Sequence, residues 1–208
     1  MRNKILTMLD MQNSMNEKVH SDWITQNYEW YRAVWIECAE LMDHFGYKWW
    51  KQQSPDFDQV KLEIVDIWHF GMSALFSQHE TKDEIADFIM NSWQTESGES
   101  LSIHEATEEL ASWCLLNKSF SPKIFKKLME SAGLDFDSLF VSYVGKNVLN
   151  FFRQDNGYKD GTYKKIWDGK EDNEHLVELT SKLDMNSNQF RDDLYMSLKI
   201  RYEELSTC

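Results

Sequence analysis

In 208 residues the chain carries only 8 glycines and 2 prolines. β-Sandwiches and barrels need a turn every ~8–12 residues, and Gly and Pro supply most of them. Such sparse punctuation points to long helices and an all-α fold. Enough apolar material is present to bury them: 42% of residues are hydrophobic and 14% aromatic, which argues against disorder. The length suits a single domain over 1–208 with a real core.

Hydrophobic periodicity places the helices. Ile5, Met8, Leu9, Met11, Met15 and Val19 recur at helical spacing over 4–19, and 31–45 repeats the pattern. A turn at Ser54-Pro55-Asp56 separates it from 58–78, which is apolar on nearly all sides, as a buried helix is. Asp56 is placed to cap that helix. Two helices joined by so short a turn form a central antiparallel hairpin. Residues 80–131 read as two or three helices divided near Ser97-Gly98 and Phe120-Ser121-Pro122. One more helix covers 134–153, a loop-like stretch follows to 173, and 175–205 holds a terminal helix or two.

Charge and cysteines restrict the function. With 22 basic and 35 acidic residues the net charge is −13, unsuited to a general binder of nucleic-acid polymers, which needs surplus Lys and Arg. Cys38, Cys114 and Cys208 are odd in number and widely spaced, so neither a disulfide framework nor a zinc cluster is expected. The N-terminus is too often interrupted by charge for a signal peptide. No uncharged stretch approaches a transmembrane length. A cytoplasmic protein away from the membrane is the expectation.

Within this acidity, four carboxylates stand out. Glu37 and Glu40 lie three apart on one helix of the hairpin, Glu63 and Asp66 three apart on the other, so each pair shares a helix face. Acidic pairs are common on solvated faces. These, however, sit among Val34, Trp35, Leu41, Ile64, Val65, Ile67 and Trp68, where an unpaired carboxylate costs several kcal/mol or takes up a proton. Oxygen-only ligation favours a hard ion, Mg²⁺ or its substitute Mn²⁺. Between Gly145 and Lys170 the balance reverses. Six cations (Lys146, Arg153, Lys159, Lys164, Lys165, Lys170) face three aspartates, a local +3 suited to phosphate contacts.

Three segments, WIECAELMDHFGYKWWK, LEIVDIWHF and YVGKNVLNFFRQDNGYKDGTYKKIWDGKEDN, together resemble the dimeric, all-α dUTP pyrophosphatases. That family is related to the wider all-α nucleoside triphosphate pyrophosphohydrolases. The motifs occur in family order from about residue 8 to 175. The resemblance implies a homodimer that hydrolyses dUTP, and dUDP, to dUMP with release of pyrophosphate or phosphate. It makes Glu37, Glu40, Glu63 and Asp66 the Mg²⁺ ligands, with Glu37 and Glu40 catalytic and Glu37 the candidate for orienting the attacking water. It assigns the phosphates to Lys146, Arg153 and Lys165, with Tyr158 and Lys159 beside them, and the sugar–phosphate region to Asn150 and Asn173. Gln12 and Asn16 match residues that read the uracil edge. Trp50, His69 and Phe70 match the base and deoxyribose pocket.

Amides suit that task because each offers a donor and an acceptor. The same property leaves another base preference open, such as dCTP or a damaged nucleotide, since either amide can turn. A nucleotide-sensing protein without turnover is the alternative outside enzymes, against which the complete set of four carboxylates speaks. The chain departs from the family pattern between His79 and Ser131, which does not align, and at Tyr47, where some members have Trp.

Overall fold

The computed structural model describes residues 1–94, 101–185, 187 and 189–205. Helix accounts for 72% of the chain, so the all-α expectation holds. The described residues form α1 (Arg2–Val19), a short 3₁₀ turn (Trp23–Gln26), α2 (Trp30–Phe45), α3 (Phe57–Phe76), α4 (Lys82–Gln94), α5 (Ile103–Asn117), α6 (Pro122–Ser131), α7 (Phe136–Asp155), strands β1 (Ile166–Trp167) and β2 (Lys170–Glu171), α8 (Asp172–Thr180) and α9 (Phe190–Leu205). The expected break at Ser97-Gly98, and Cys208, lie outside the described residues. Cys38 and Cys114 are buried free thiols. No described helix is long and apolar enough to cross a membrane. The chain divides within α7 into two compact units, Met1–Phe140 and Val141–Cys208.

In the first unit α3 is the central element, packed against α1, α2, α4 and α6. Local chemistry fixes both ends of the α2–α3 connection. Gly46 closes α2 at φ 96°, a backbone conformation strained for any L side chain. Asp56 opens α3, its Oδ1 accepting from the Gln59 N–H at 3.1 Å, which satisfies one of the orphan donors of the first turn. Trp68 stacks on Phe125 of α6, ring centroids 4.9 Å apart at 21°. Phe120 reaches α3 because Gly71 has no side chain: a Cβ there would lie 2.5 Å from the ring. α5 begins with a capping box in which Ser102 and Glu105 each bind the other's backbone N–H.

The second unit holds the C-terminal part of α7, a β-ribbon, α8 and α9. The stretch expected as a loop contains this two-stranded ribbon, with Ile166 opposite Glu171 and Trp167 opposite Lys170. Its turn is Asp168-Gly169, both at positive φ (48° and 79°), the dipeptide and dihedrals of a two-residue hairpin. Its core is aromatic. The buried Trp167 indole stacks on His175 at 5.0 Å and meets Phe152 at 6.1 Å and Tyr202 at 5.1 Å.

Candidate active site

Glu37 on α2 and Glu63 and Asp66 on α3 come together so closely that one oxygen from each lies within 4.8 Å of the others. Glu63 is buried, while Glu37 and Asp66 are half-buried. Three carboxylates at that spacing cannot all carry charge at neutral pH without a cation. The strain falls on Glu37, whose carboxyl is pushed from its ordinary 4.5 up to about 9. Desolvation is the largest cause, followed by the charges of Asp66, Glu63 and Glu40 and a hydrogen bond shared with Glu63. Glu40, the fourth expected carboxylate, is exposed and outside the trio, although its charge acts on Glu37. His44, one turn beyond Glu40, places Nε2 3.5 Å from Glu63 Oε1.

Along α3 the polar positions Glu63, Asp66, His69 and Ser73 follow at intervals of three, three and four, a single stripe on a helix that is otherwise apolar from Leu62 to Phe76. At its far end α1 delivers Gln12 and Asn16, both buried. Gln12 Nε2 donates to Asn16 Oδ1 and to Ser73 Oγ, both at 3.0 Å, and Asn16 Nδ2 donates to Ser73 Oγ at 2.9 Å. Gln12 Oε1 lies 2.7 Å from His69 Nδ1. Phe70, half-buried, stacks on Trp30 at 6.2 Å and 27°. Trp50 stands 61% exposed in the α2–α3 connection, edge-on to Trp49 and Tyr47.

The second unit gathers the other expected residues. Arg153 makes a two-pronged ion pair with the fully buried Asp172, Nε to Oδ2 at 2.8 Å and a terminal nitrogen to Oδ1 at 2.7 Å. It also donates to Asn150 Oδ1 at 3.2 Å and Asn173 Oδ1 at 3.4 Å. Buried Lys146 donates to the same Asn173 oxygen at 2.9 Å. Burial raises the Asp172 carboxyl, but the hydrogen bonds and charge of Arg153, the Tyr163 hydroxyl and Lys146 outweigh it and hold the carboxyl below its usual range. Lys165 pairs with Glu171 at 3.0 Å. Tyr158 and Lys159 are exposed, and the Arg153 guanidinium lies 5.9 Å from the Tyr158 ring centre.

A family model described as dUTPase matches residues 4–158, which spans the carboxylate trio and the amide cluster. The chain belongs to the dUTPase family. As a dUTPase it is a dUTP diphosphatase, an enzyme that hydrolyses dUTP. No individual curated protein matches the sequence. The matched span stops at Tyr158, so Lys159, Lys165 and Asn173 lie beyond it.

Three contacts of this dUTPase were not anticipated from its sequence. Ser73 joins both amides, and its only local signal is the i,i+4 spacing from His69 on an apolar helix. Asp172 holds Arg153 from two residues past the cationic stretch. Together with Glu171 and Glu178, the partners of Lys165 and Lys170, it balances much of the +3 charge. His44 meets Glu63 across the α2–α3 contact, and its i+4 spacing from Glu40 was the available signal.

Proposed function

We propose that this dUTPase works as a Mg²⁺-dependent pyrophosphohydrolase, converting dUTP to dUMP and pyrophosphate and accepting dUDP with release of phosphate. The observation that carries the reading is the α3 stripe, with clustered carboxylates toward one end and a neutral donor–acceptor network at the other. A nucleotide has the same polarity, anionic phosphates at one end and an uncharged base at the other. The donor set fits a hard divalent ion: oxygen ligands only, converging, with Glu37 favouring its protonated form where no cation replaces the proton. Glu37, Glu63 and Asp66 would hold it, with Glu40 joining from the same face of α2. When bound, such an ion neutralises phosphate charge and acidifies the water beside it.

The chain's own groups would do the rest. Glu37 orients the attacking water and receives its proton. Gln12 and Asn16 read the base edge, with His69, Phe70 and Trp50 around the base and deoxyribose. Lys146, Arg153 and Lys165, with Tyr158 and Lys159, bind phosphate oxygens, and Asn150 and Asn173 serve the sugar–phosphate region. The family resemblance supports these assignments, together with the way Asn173 and Asp172 order Lys146 and Arg153. Phosphoryl transfer of this kind rests on positioning and charge neutralisation. We propose further that the chain is one cytoplasmic dUTPase domain over 1–208, built on an α2–α3 hairpin, and acts as a homodimer.

Pyrophosphate release from a panel of deoxynucleoside triphosphates, with Mg²⁺ and with chelator, tests the reaction. Activity is expected with dUTP, with phosphate from dUDP, and none in chelator. Comparable turnover of dCTP or dTTP would overturn the substrate assignment. Glu63→Gln is expected to lower dUTP turnover by at least ~100-fold, the scale of losing one charge-stabilising group. A solution mass of twice 24.8 kDa is expected of the dimer.

A further inference from the structure

Ser73 is completely buried between α1 and α3, and its hydroxyl has one hydrogen. That hydrogen is committed, because Oγ donates to the His69 carbonyl one turn back at 3.0 Å. Two lone pairs remain on Oγ, and they receive Gln12 Nε2 and Asn16 Nδ2. The other bonds run in the same sense. Gln12 Nε2 donates in turn to Asn16 Oδ1, and Gln12 Oε1, 2.7 Å from His69 Nδ1, is matched by the imidazole tautomer that carries its proton on Nδ1.

Reversing either amide breaks this closure. With Asn16 turned alone, its nitrogen faces the Gln12 nitrogen, donor against donor. With Gln12 turned alone, two carbonyl oxygens face each other. With both turned, two carbonyl oxygens approach one hydroxyl that has a single hydrogen. An oxygen of this type accepts twice but donates once, so the cluster is satisfied in only one sense, and a buried polar group left facing its own kind is heavily penalised.

We propose that Ser73 is the residue that fixes base selectivity. It acts as a positioning residue, locking the Gln12 and Asn16 amides against rotation. The inference rests on the reading that these two amides face the base. Uracil presents O4 and N3–H on its pairing edge, whereas cytosine presents an amino group and an unprotonated N3, so donor and acceptor are exchanged. An amide able to turn serves both bases. An amide held in one sense serves one of them.

The test is kcat/KM for dUTP and for dCTP in wild type, Ser73→Ala, Ser73→Cys and Ser73→Thr. Wild type is expected to prefer dUTP. Alanine and the weakly hydrogen-bonding thiol should each lower the dUTP:dCTP ratio by roughly tenfold or more, through KM more than kcat. Threonine, which keeps the hydroxyl, should retain most of the preference. A wild type that turns over both nucleotides alike would refute base reading by Gln12 and Asn16, and the Ser73 proposal with it. A selective wild type whose ratio survives in the Ala and Cys variants, or whose two activities fall equally, would overturn the Ser73 proposal alone. Should those variants not fold, the wild-type protein still decides. Slow solvent exchange of the Gln12 and Asn16 side-chain amide protons by NMR is expected, and exchange at the rate of an exposed amide would overturn the lock.

Discussion

Titrating the metal-free enzyme with Mn²⁺ near neutral pH is expected to expel close to one proton per chain, and Glu37 is its source. Its carboxyl is held at about 9 instead of 4.5, by desolvation first and then by Asp66, Glu63 and Glu40. At about pH 7 roughly 99% of Glu37 is therefore protonated in the folded, metal-free chain, and about half is protonated at pH 9. A ligating carboxylate must be deprotonated, so metal binding displaces that proton. Apparent affinity should rise about tenfold per pH unit up to roughly pH 9 and then level off. For the metal-free fold the sign is opposite. Between 4.5 and about 9 the folded chain holds a proton the unfolded chain has lost, so stability is full below 4.5 and is lost as pH rises through 9. Calorimetric titrations in buffers of different ionisation enthalpy give the proton count as a slope. A slope near one at pH 7, falling toward about half at pH 9, is expected. A slope near zero at pH 7 alongside a clear binding heat would refute the reasoning, as would undiminished proton release from Glu37→Gln.

Three other perturbations have defined outcomes. Asp172→Ala leaves the Arg153 guanidinium, whose side chain is only 12% exposed, without its anion; a loss of about 3–5 kcal/mol in urea unfolding is expected, and a loss below ~1 kcal/mol would place the pair with surface ion pairs. Gly71→Ala drives a methyl to 2.5 Å from the Phe120 ring and should destabilise by about 1–3 kcal/mol through overpacking, read as a lower thermal midpoint. Asp56→Ala removes the acceptor for the Gln59 N–H and should cost about 1 kcal/mol, with Asp56→Ser recovering most of it.

Most of the helical framework was legible because its signals are local. The Asp56 cap, the near-uniform apolarity of α3 and the Ser121-Pro122 start of α6 are each written within a few residues. The acidic positions were legible for the same reason, since i,i+3 spacing assigns a face without knowledge of what it meets. Long-range partners were not. Ser73 sits in an apolar run where a small hydroxyl is commonplace, and its significance comes from Gln12 and Asn16, 61 and 57 residues away. Asp172 lies outside the window in which the cations cluster, so a local charge sum overstated how much positive charge that segment leaves unbalanced. The Asp168-Gly169 hairpin is the opposite case: its signal is local and strong, yet the surrounding Lys, Asn and Tyr make the stretch read as loop.

The α3 stripe also explains why the two ends of the site differ in what completes them. Glu63 and Ser73 are ten residues apart, about 15 Å along the helix axis, and both are buried. At the Ser73 end the burden is neutral, and α1 supplies two amides whose donors and acceptors close on Ser73 and His69. At the Glu63 end the burden is ionic, and α2 supplies more negative charge through Glu37. A neutral polar cluster reaches a satisfied state by hydrogen bonding alone, whereas converging carboxylates reach one only with a proton or a cation. Folding alone therefore satisfies the amide end through its own hydrogen bonds. The acidic end is held by a proton on Glu37, whose carboxyl sits at about 9, so of the two ends it is the acidic one whose state changes with pH.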